Sequence, residues 1–289
     1  MKPIARLLIA GAAALTMFAP RAAPQGGPPF ISDDPDTPGP GHWEINVGFL
    51  GSRNPYLGFY QIPDIDINYG LGVRIQLKYE LPLAMAEDRG DPSHLNAGLG
   101  NSLLGVKYRF YEHPNSEQKM DAANESEPKF GFSTYPQLSL NNPTRSVARG
   151  IVDQGPQLYL PIEGNAHIGP IRFSAETGYW FGNKDVAPSW TRGVVAGHEF
   201  RRDTELYMEF YDETDTGTVA GVPKLNWSTL GIGGRLPLTK GHSIRLLGMF
   251  GRGIETVTPL NEQPRWIGYA GLQFLSEGRR RHSHRLPDV

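Results

Sequence analysis

An alternation of period two runs through this chain from residue 43 almost to its end, and it limits the fold more than any other feature. In Val73-Arg74-Ile75-Gln76-Leu77-Lys78-Tyr79-Glu80-Leu81 every odd position is apolar and every even position is polar. Trp43-Glu44-Ile45-Asn46-Val47-Gly48-Phe49 and Asp64-Ile65-Asp66-Ile67-Asn68-Tyr69 obey the same rule. Successive side chains of an extended chain point to opposite faces, so each stretch predicts a strand with one apolar and one polar face. The 35 Gly and 25 Pro oppose a helical alternative, because both residues break helices. The 12 Tyr and 13 Phe oppose a disordered one.

The pattern predicts twelve strands, at 43–50, 58–69, 73–82, 99–111, 129–140, 155–163, 170–181, 190–200, 204–213, 225–238, 242–252 and 265–275. The odd-numbered connections, 51–57, 83–98, 141–154, 182–189, 214–224 and 253–264, are long. The even-numbered ones, 70–72, 164–169, 201–203 and 239–241, are short, with a polar insertion at 112–128 as the exception. An even strand number with short turns at one end and long loops at the other is the pattern of an outer-membrane barrel. No segment of the mature chain approaches the ~20 apolar residues of a spanning helix. The predicted fold is therefore all-β, a closed antiparallel transmembrane β-barrel of about 12 strands. A secreted β-sandwich is the competing architecture. It would not need Trp43, Tyr69, Trp180, Phe181, Trp190, Phe200, Tyr211, Trp227, Trp266 and Phe274 near so many strand ends, where interfacial girdles sit.

In a membrane barrel the apolar face meets lipid and the polar face lines the interior. Trp43, Ile45, Val47, Ile65, Ile67, Ile75, Leu77, Phe173, Leu206 and Met208 are expected outside. The expected lumen-lining residues are Glu44, Asp64, Asp66, Arg74, Lys78, Glu80, Lys107, Arg109, Arg172, Glu176, Glu205, Glu209, Arg235 and Arg245. With Glu199 the acids and bases of these faces nearly balance. A selective ion pore would carry rings of one sign. Two interiors remain open on this reading: a stiff lumen cross-linked by ion pairs, or a narrow passage with the Pro-rich leader as its plug.

Residues 1–25 carry Lys2 and Arg6 ahead of an apolar run from Leu7 to Ala19 and read as a secretory signal peptide. Residues 26–42 are a Pro/Gly/Asp-rich periplasmic leader, 43–275 the barrel, and 276–289 a basic tail expected to be disordered. The formal net charge of −2 excludes a generic nucleic-acid binder, and the absence of Cys excludes thiolate chemistry. None of the eight His has Ser two positions later, so no positioned nucleophile–base pair is legible and no enzyme activity is expected. Ser32-Asp33-Asp34-Pro35-Asp36 lacks the Gly and terminal Glu of a calcium loop and reads as turn chemistry. No metal or cofactor is expected.

At Asp34-Pro35-Asp36-Thr37-Pro38-Gly39-Pro40-Gly41-His42-Trp43-Glu44 the chain resembles the outer-membrane barrels named for the meta-pathway of phenol degradation, often called simply transporters. Asn68-Tyr69-Gly70, Gln76 to Pro82, Gly98-Leu99-Gly100-Asn101, Gly105 to Phe110 and Gly268 to Phe274 extend the resemblance over most of the mature chain. It implies an outer-membrane location and uptake of aromatic or other hydrophobic compounds, and it brings no site residues. The family's barrels usually end on the last strand's aromatic residue, here Phe274, whereas this chain continues to Val289. The expected function is passive uptake of small hydrophobic or aromatic solutes. The alternative is a structural or adhesive barrel with a sealed, salt-bridged lumen. Outer-membrane lipid and such solutes are the expected partners.

Two further expectations concern geometry. The first strand should pair with the last, because lipid cannot satisfy an open edge. A three-residue turn at Gly70-Leu71-Gly72 should set Asp64 opposite Lys78, Asp66 opposite Gln76 and Asn68 opposite Arg74.

Overall fold

The computed structural model describes residues 27–88, 95–113, 130–200, 204–219, 224, 226–254 and 264–276. The signal-peptide reading, most of the 112–128 insertion and the basic tail beyond Ser276 lie outside these residues. The described strands are β1 (Trp43–Arg53), β2 (Leu57–Gly70), β3 (Ile75–Asp88), β4 (Leu95–Leu99 and Ser102–His113), β5 (Phe130–Thr134 and Gln137–Leu140), β6 (Gln157–Ile168), β7 (Ile171–Phe181), β8 (Ser189–Glu199), β9 (Glu205–Asp215), β10 (Asn226–Pro237), β11 (Ile244–Ile254) and β12 (Trp266–Ser276). β4 is interrupted at Gly100-Asn101, and both its pieces pair with β3. β5 is interrupted at Tyr135-Pro136, where proline has no N–H for the ladder.

Every strand pairs antiparallel with the next, and β12 returns to β1 from Trp43↔Ser276 to Arg53↔Trp266. The sheet is thus a closed antiparallel barrel of twelve strands with no free edge. Its faces follow the alternation. Trp43, Val47, Leu77, Phe173, Leu206 and Met208 are exposed on the outer wall. Ile45, Ile65, Ile67 and Ile75 share that face and are half-buried. Between them Glu44, Asn46, Asp66, Gln76, Glu205 and Glu209 are buried. An outer wall this apolar suits hydrocarbon, and the buried interior is polar, the reverse of a water-soluble fold.

Three sequence expectations need correction. The first long connection shrinks to 54–56, because the Asn54 side chain accepts hydrogen bonds from the N–H groups of Tyr56 (2.9 Å) and Leu57 (2.8 Å) and closes a tight turn. The β2–β3 register slides by four residues: Asn68 opposes Lys78, Asp66 opposes Glu80 and Asp64 opposes Pro82. The turn runs through residues 71–74, with Leu71 N–H bonded to the Ile75 carbonyl and Gly72 at φ 85°. Parity is unchanged, so each residue keeps its face while its partner changes. Trp180, Tyr211 and Trp227 also leave the girdle. They share the face of Glu176, Glu209 and Thr229, and Trp180 stacks on the buried Tyr159 with centroids 4.6 Å apart.

Candidate functional site

The lumen is filled at the short-turn end by the chain's own leader. Phe30 lies 3.8 Å from the Tyr207 ring, with the Arg235 guanidinium 5.3 Å over its face. Ile31 packs on the buried cluster of Leu247, Met249, Ile267 and Tyr269. The N–H groups of Ile31 (3.1 Å) and Ser32 (2.8 Å) and the Ser32 hydroxyl (2.6 Å) all donate to the Glu209 carboxylate. Asp33 N–H donates to Glu176 at 3.2 Å. From there the leader crosses to the end of β2 and the turn after it, where Thr37 Oγ1 donates to the Val73 carbonyl and Gly41 N–H to the Gly70 carbonyl.

Its three carboxylates meet three cations of the wall. Lys107 Nζ donates to Asp33 Oδ1 at 2.8 Å and to the Asp34 carbonyl. Arg172 Nη2 holds Asp34 at 2.5 Å and Asp36 at 2.7 Å. Arg109 Nη1 is 3.5 Å from Asp36. The turn chemistry read from this segment is present too, since Asp36 N–H donates to Asp34 Oδ1. Buried charge is tolerated only where it is paired and hydrogen-bonded, and here each leader carboxylate is. Two wall glycines make room. A Cβ on Gly193 would lie 2.4 Å from Ser32 Cβ, and one on Gly70 would lie 1.8 Å from the Gly39 carbonyl oxygen.

The other expected residues divide along the wall. Glu44 and Asp66 are bridged by the Asn46 amide at 3.1 and 3.2 Å. Lys78 reaches Glu80 at 2.9 Å and Asp66 at 3.5 Å, not Asp64. Asp64 is buried and one of its oxygens has no hydrogen bond. Glu176 accepts the Tyr159 hydroxyl at 2.7 Å, Glu205 lies 3.5 Å from Arg235, and Arg245 donates to Gln273 at 3.4 Å. Arg74 is not on this surface. It sits in the β2–β3 turn and is exposed. Sequence reasoning missed Asp33, Asp34 and Asp36 as wall partners. It also missed Glu163, fully buried between Ser133 (2.5 Å) and Lys107 (3.3 Å), although its alternation with Ile162 marks the inner face.

The long-loop half is different. A cavity of about 510 Å³ opens there, lined by Phe59, Glu80, Pro82 and Leu103 from the wall and Ile151 and Asp153 from the connection 141–156. That connection folds inward. Ser146 Oγ donates to the Leu99 carbonyl at 2.7 Å, Asn142 to the Gly100 carbonyl at 2.6 Å, and Ile151 is 2% exposed. Gln61, Asn101 and Gln157 add to Glu80 and Asp153, so the lining mixes apolar and polar groups, the chemistry of a site for a small amphipathic molecule.

No protein-family model matches the chain, and no curated protein matches it. Among solved structures, the COG4313 outer membrane channel from Pseudomonas putida F1 is similar over 86% of this chain and 99% of its own length, at 13% identity and a TM-score of 0.61. The NanC porin is similar over 81% of this chain and 98% of its own length, at 6% identity and a TM-score of 0.49. At 13% identity the likeness to the COG4313 channel is one of fold.

Proposed function

We propose that the protein is an outer-membrane channel for small hydrophobic or aromatic solutes, closed at its periplasmic end by its own leader. The observation that carries this reading is the division of the lumen: an amphipathic vestibule at the long-loop end above a floor made of residues 30–41. The apolar outer wall, the likeness in fold to an outer membrane channel and the resemblance of the leader motif support the same placement. The signal peptide read at residues 1–25 would deliver it. A solute entering the vestibule meets Phe59, Leu103 and Ile151 as apolar contacts and Glu80 and Asp153 as polar ones. Passage then requires the leader to shift from Lys107, Arg109 and Arg172.

The second reading, a structural barrel with a sealed lumen, has one specific observation in its favour: the leader is bonded through buried ion pairs rather than loosely draped. Uptake of labelled small aromatics by cells with and without the gene, together with swelling of liposomes holding the purified protein, separates the two. Faster uptake and swelling with the protein support the channel. Equal rates for every aromatic tested, with folded protein in the outer membrane, support the sealed barrel.

A further inference from the structure

The outer wall at the long-loop end carries a cluster that the channel reading does not use. Pairing sets Arg53 of β1 opposite Trp266 of β12, and Trp266 opposite Arg252 of β11. The three residues therefore stand side by side across three strands, on the face of Leu246, Phe250 and Leu272. Arg252 is exposed, whereas Arg265, which precedes Trp266, falls on the opposite face by the same alternation. No described carboxylate pairs with any of these arginines, and Arg53 Nε has no hydrogen-bond partner. Arg192, outward-facing on β8, is different: it holds Asp212 at 2.9 Å. Below Trp266 the outer wall is shallow. Gly268 lies between Gly51 and Phe250, and Ala270 between Phe49 and Gly248. A furrow of small residues between aromatic edges thus descends from the arginine row.

We infer that Arg53 and Arg252, on either side of Trp266, bind the phosphate groups of an outer-leaflet glycolipid, with an acyl chain in the furrow at Gly268 and Ala270. This rests on the outer-membrane placement proposed above. Arginine forks match phosphate oxygens two at a time and keep their charge. Tryptophan marks the headgroup level of a barrel, and a cation on the lipid face is tolerated only there. Among the described residues Arg53 and Arg252 have no ion partner, Glu87 reaching only as far as Gly58 beside Arg53, and on a largely apolar wall they call for an anion that is itself amphipathic. The furrow selects a lipid over free phosphate.

The test is native mass spectrometry of the full-length protein in detergent with bis-phosphorylated lipid A. Arg53→Gln with Arg252→Gln should reduce retained lipid A by at least about tenfold, the loss expected from removing charge-assisted hydrogen bonds. Arg74→Gln, at the opposite rim, should change nothing. Dephosphorylated lipid A should be retained poorly by the wild type, and millimolar inorganic phosphate should not displace the intact lipid. Equal retention by the double variant, an equal loss in Arg74→Gln, or displacement by inorganic phosphate would each overturn the site. Heat-modifiable gel mobility confirms that every variant is folded. Cell fractionation reports the membrane placement separately, so failure of that placement is distinguishable from failure of the lipid site.

Discussion

The two halves of the lumen are built on the same alternating wall and reach opposite outcomes. At the short-turn end a second piece of chain supplies what the wall lacks: carboxylates for Lys107, Arg109 and Arg172, and N–H donors for Glu176 and Glu209. At the long-loop end no second segment fills the wall to the same extent: the connection 141–156 covers it only partly, leaving the cavity over Glu80. A barrel wall alone therefore does not decide between filled and open. The complement of its charges does, and here that complement is covalently attached.

The largest effect should come from removing that complement. Deletion of residues 27–38 strips the leader carboxylates from Lys107, Arg109 and Arg172, leaving Glu163 on Lys107 and Glu112 on Arg109, and vacates the floor. In planar bilayers the intact protein should stay near its closed baseline. The deletion should raise mean current by at least about tenfold, the change that ~1.4 kcal/mol of lost closed-state preference produces. An unchanged baseline from a folded deletion variant would mean that the wall side chains close the lumen themselves.

Substituting one clamp should act on both stability and leader position. The Arg172 side chain is 12% exposed and faces Asp34 and Asp36, so Arg172→Ala leaves two carboxylates buried without it. Breaking a buried pair on one side costs ~3–5 kcal/mol. Part of that cost is avoided if the leader leaves the lumen, so the expected result is protease cleavage within residues 30–41 while the barrel remains resistant. Arg192→Ala, an exposed outer-wall pair, should shift stability by no more than ~1 kcal/mol. Equal effects of the two substitutions would remove the distinction between clamp and surface.

These residues also show how far the sequence could be read. Period-two alternation reports faces, and it located all twelve strands and the closure of β1 on β12, because an error of one residue would turn every isoleucine inward. It is silent on slides of two or four residues, which is why Asp64 lost Lys78 to Glu80 and Asp66 without changing face. The end of β2 is held by the leader through Gly41 and Gly70, a contact between segments that no local pattern announces. The near balance of wall acids and bases suggested pairing across the barrel. Three of the bases, Lys107, Arg109 and Arg172, pair with the leader, Lys107 keeping Glu163 of the wall as well, and the leader aspartates carry turn chemistry and wall contacts at once. Arg74 continues the alternation of β3 but falls in the turn, beyond the end of the sheet.

Acidification should distinguish an ion-paired floor from a merely packed one. Burial raises the Asp34 carboxyl, but Arg172 first, then Lys107 and Arg235, outweigh it and hold the group below its ordinary value of 3.8. A depressed carboxyl stabilises the seated leader fully above that ordinary value, and the contribution is lost as pH falls through the lower, folded value. The Asp34 share of closure and of the leader's protease resistance should thus stay constant from pH 8 to about 5 and be lost only below about 4. Release between pH 5 and 8 would show that another group controls the floor.

The smallest effect belongs to the vestibule. Ile151 is buried where the connection 141–156 meets Gly98, its Cδ1 lying where a Cβ on Gly98 would come within 3.0 Å. Ile151→Ala removes that contact, yet Ser146 and Asn142 still tie the connection to Leu99 and Gly100. The loop should loosen without leaving. In the intact protein current should not respond, because the floor in series remains shut. In the leader-deleted protein it should rise by about twofold, equivalent to ~0.4 kcal/mol of vestibule closure. A response of equal size in both backgrounds would place the limiting constriction at the connection rather than the leader, and would reverse the order of the two halves.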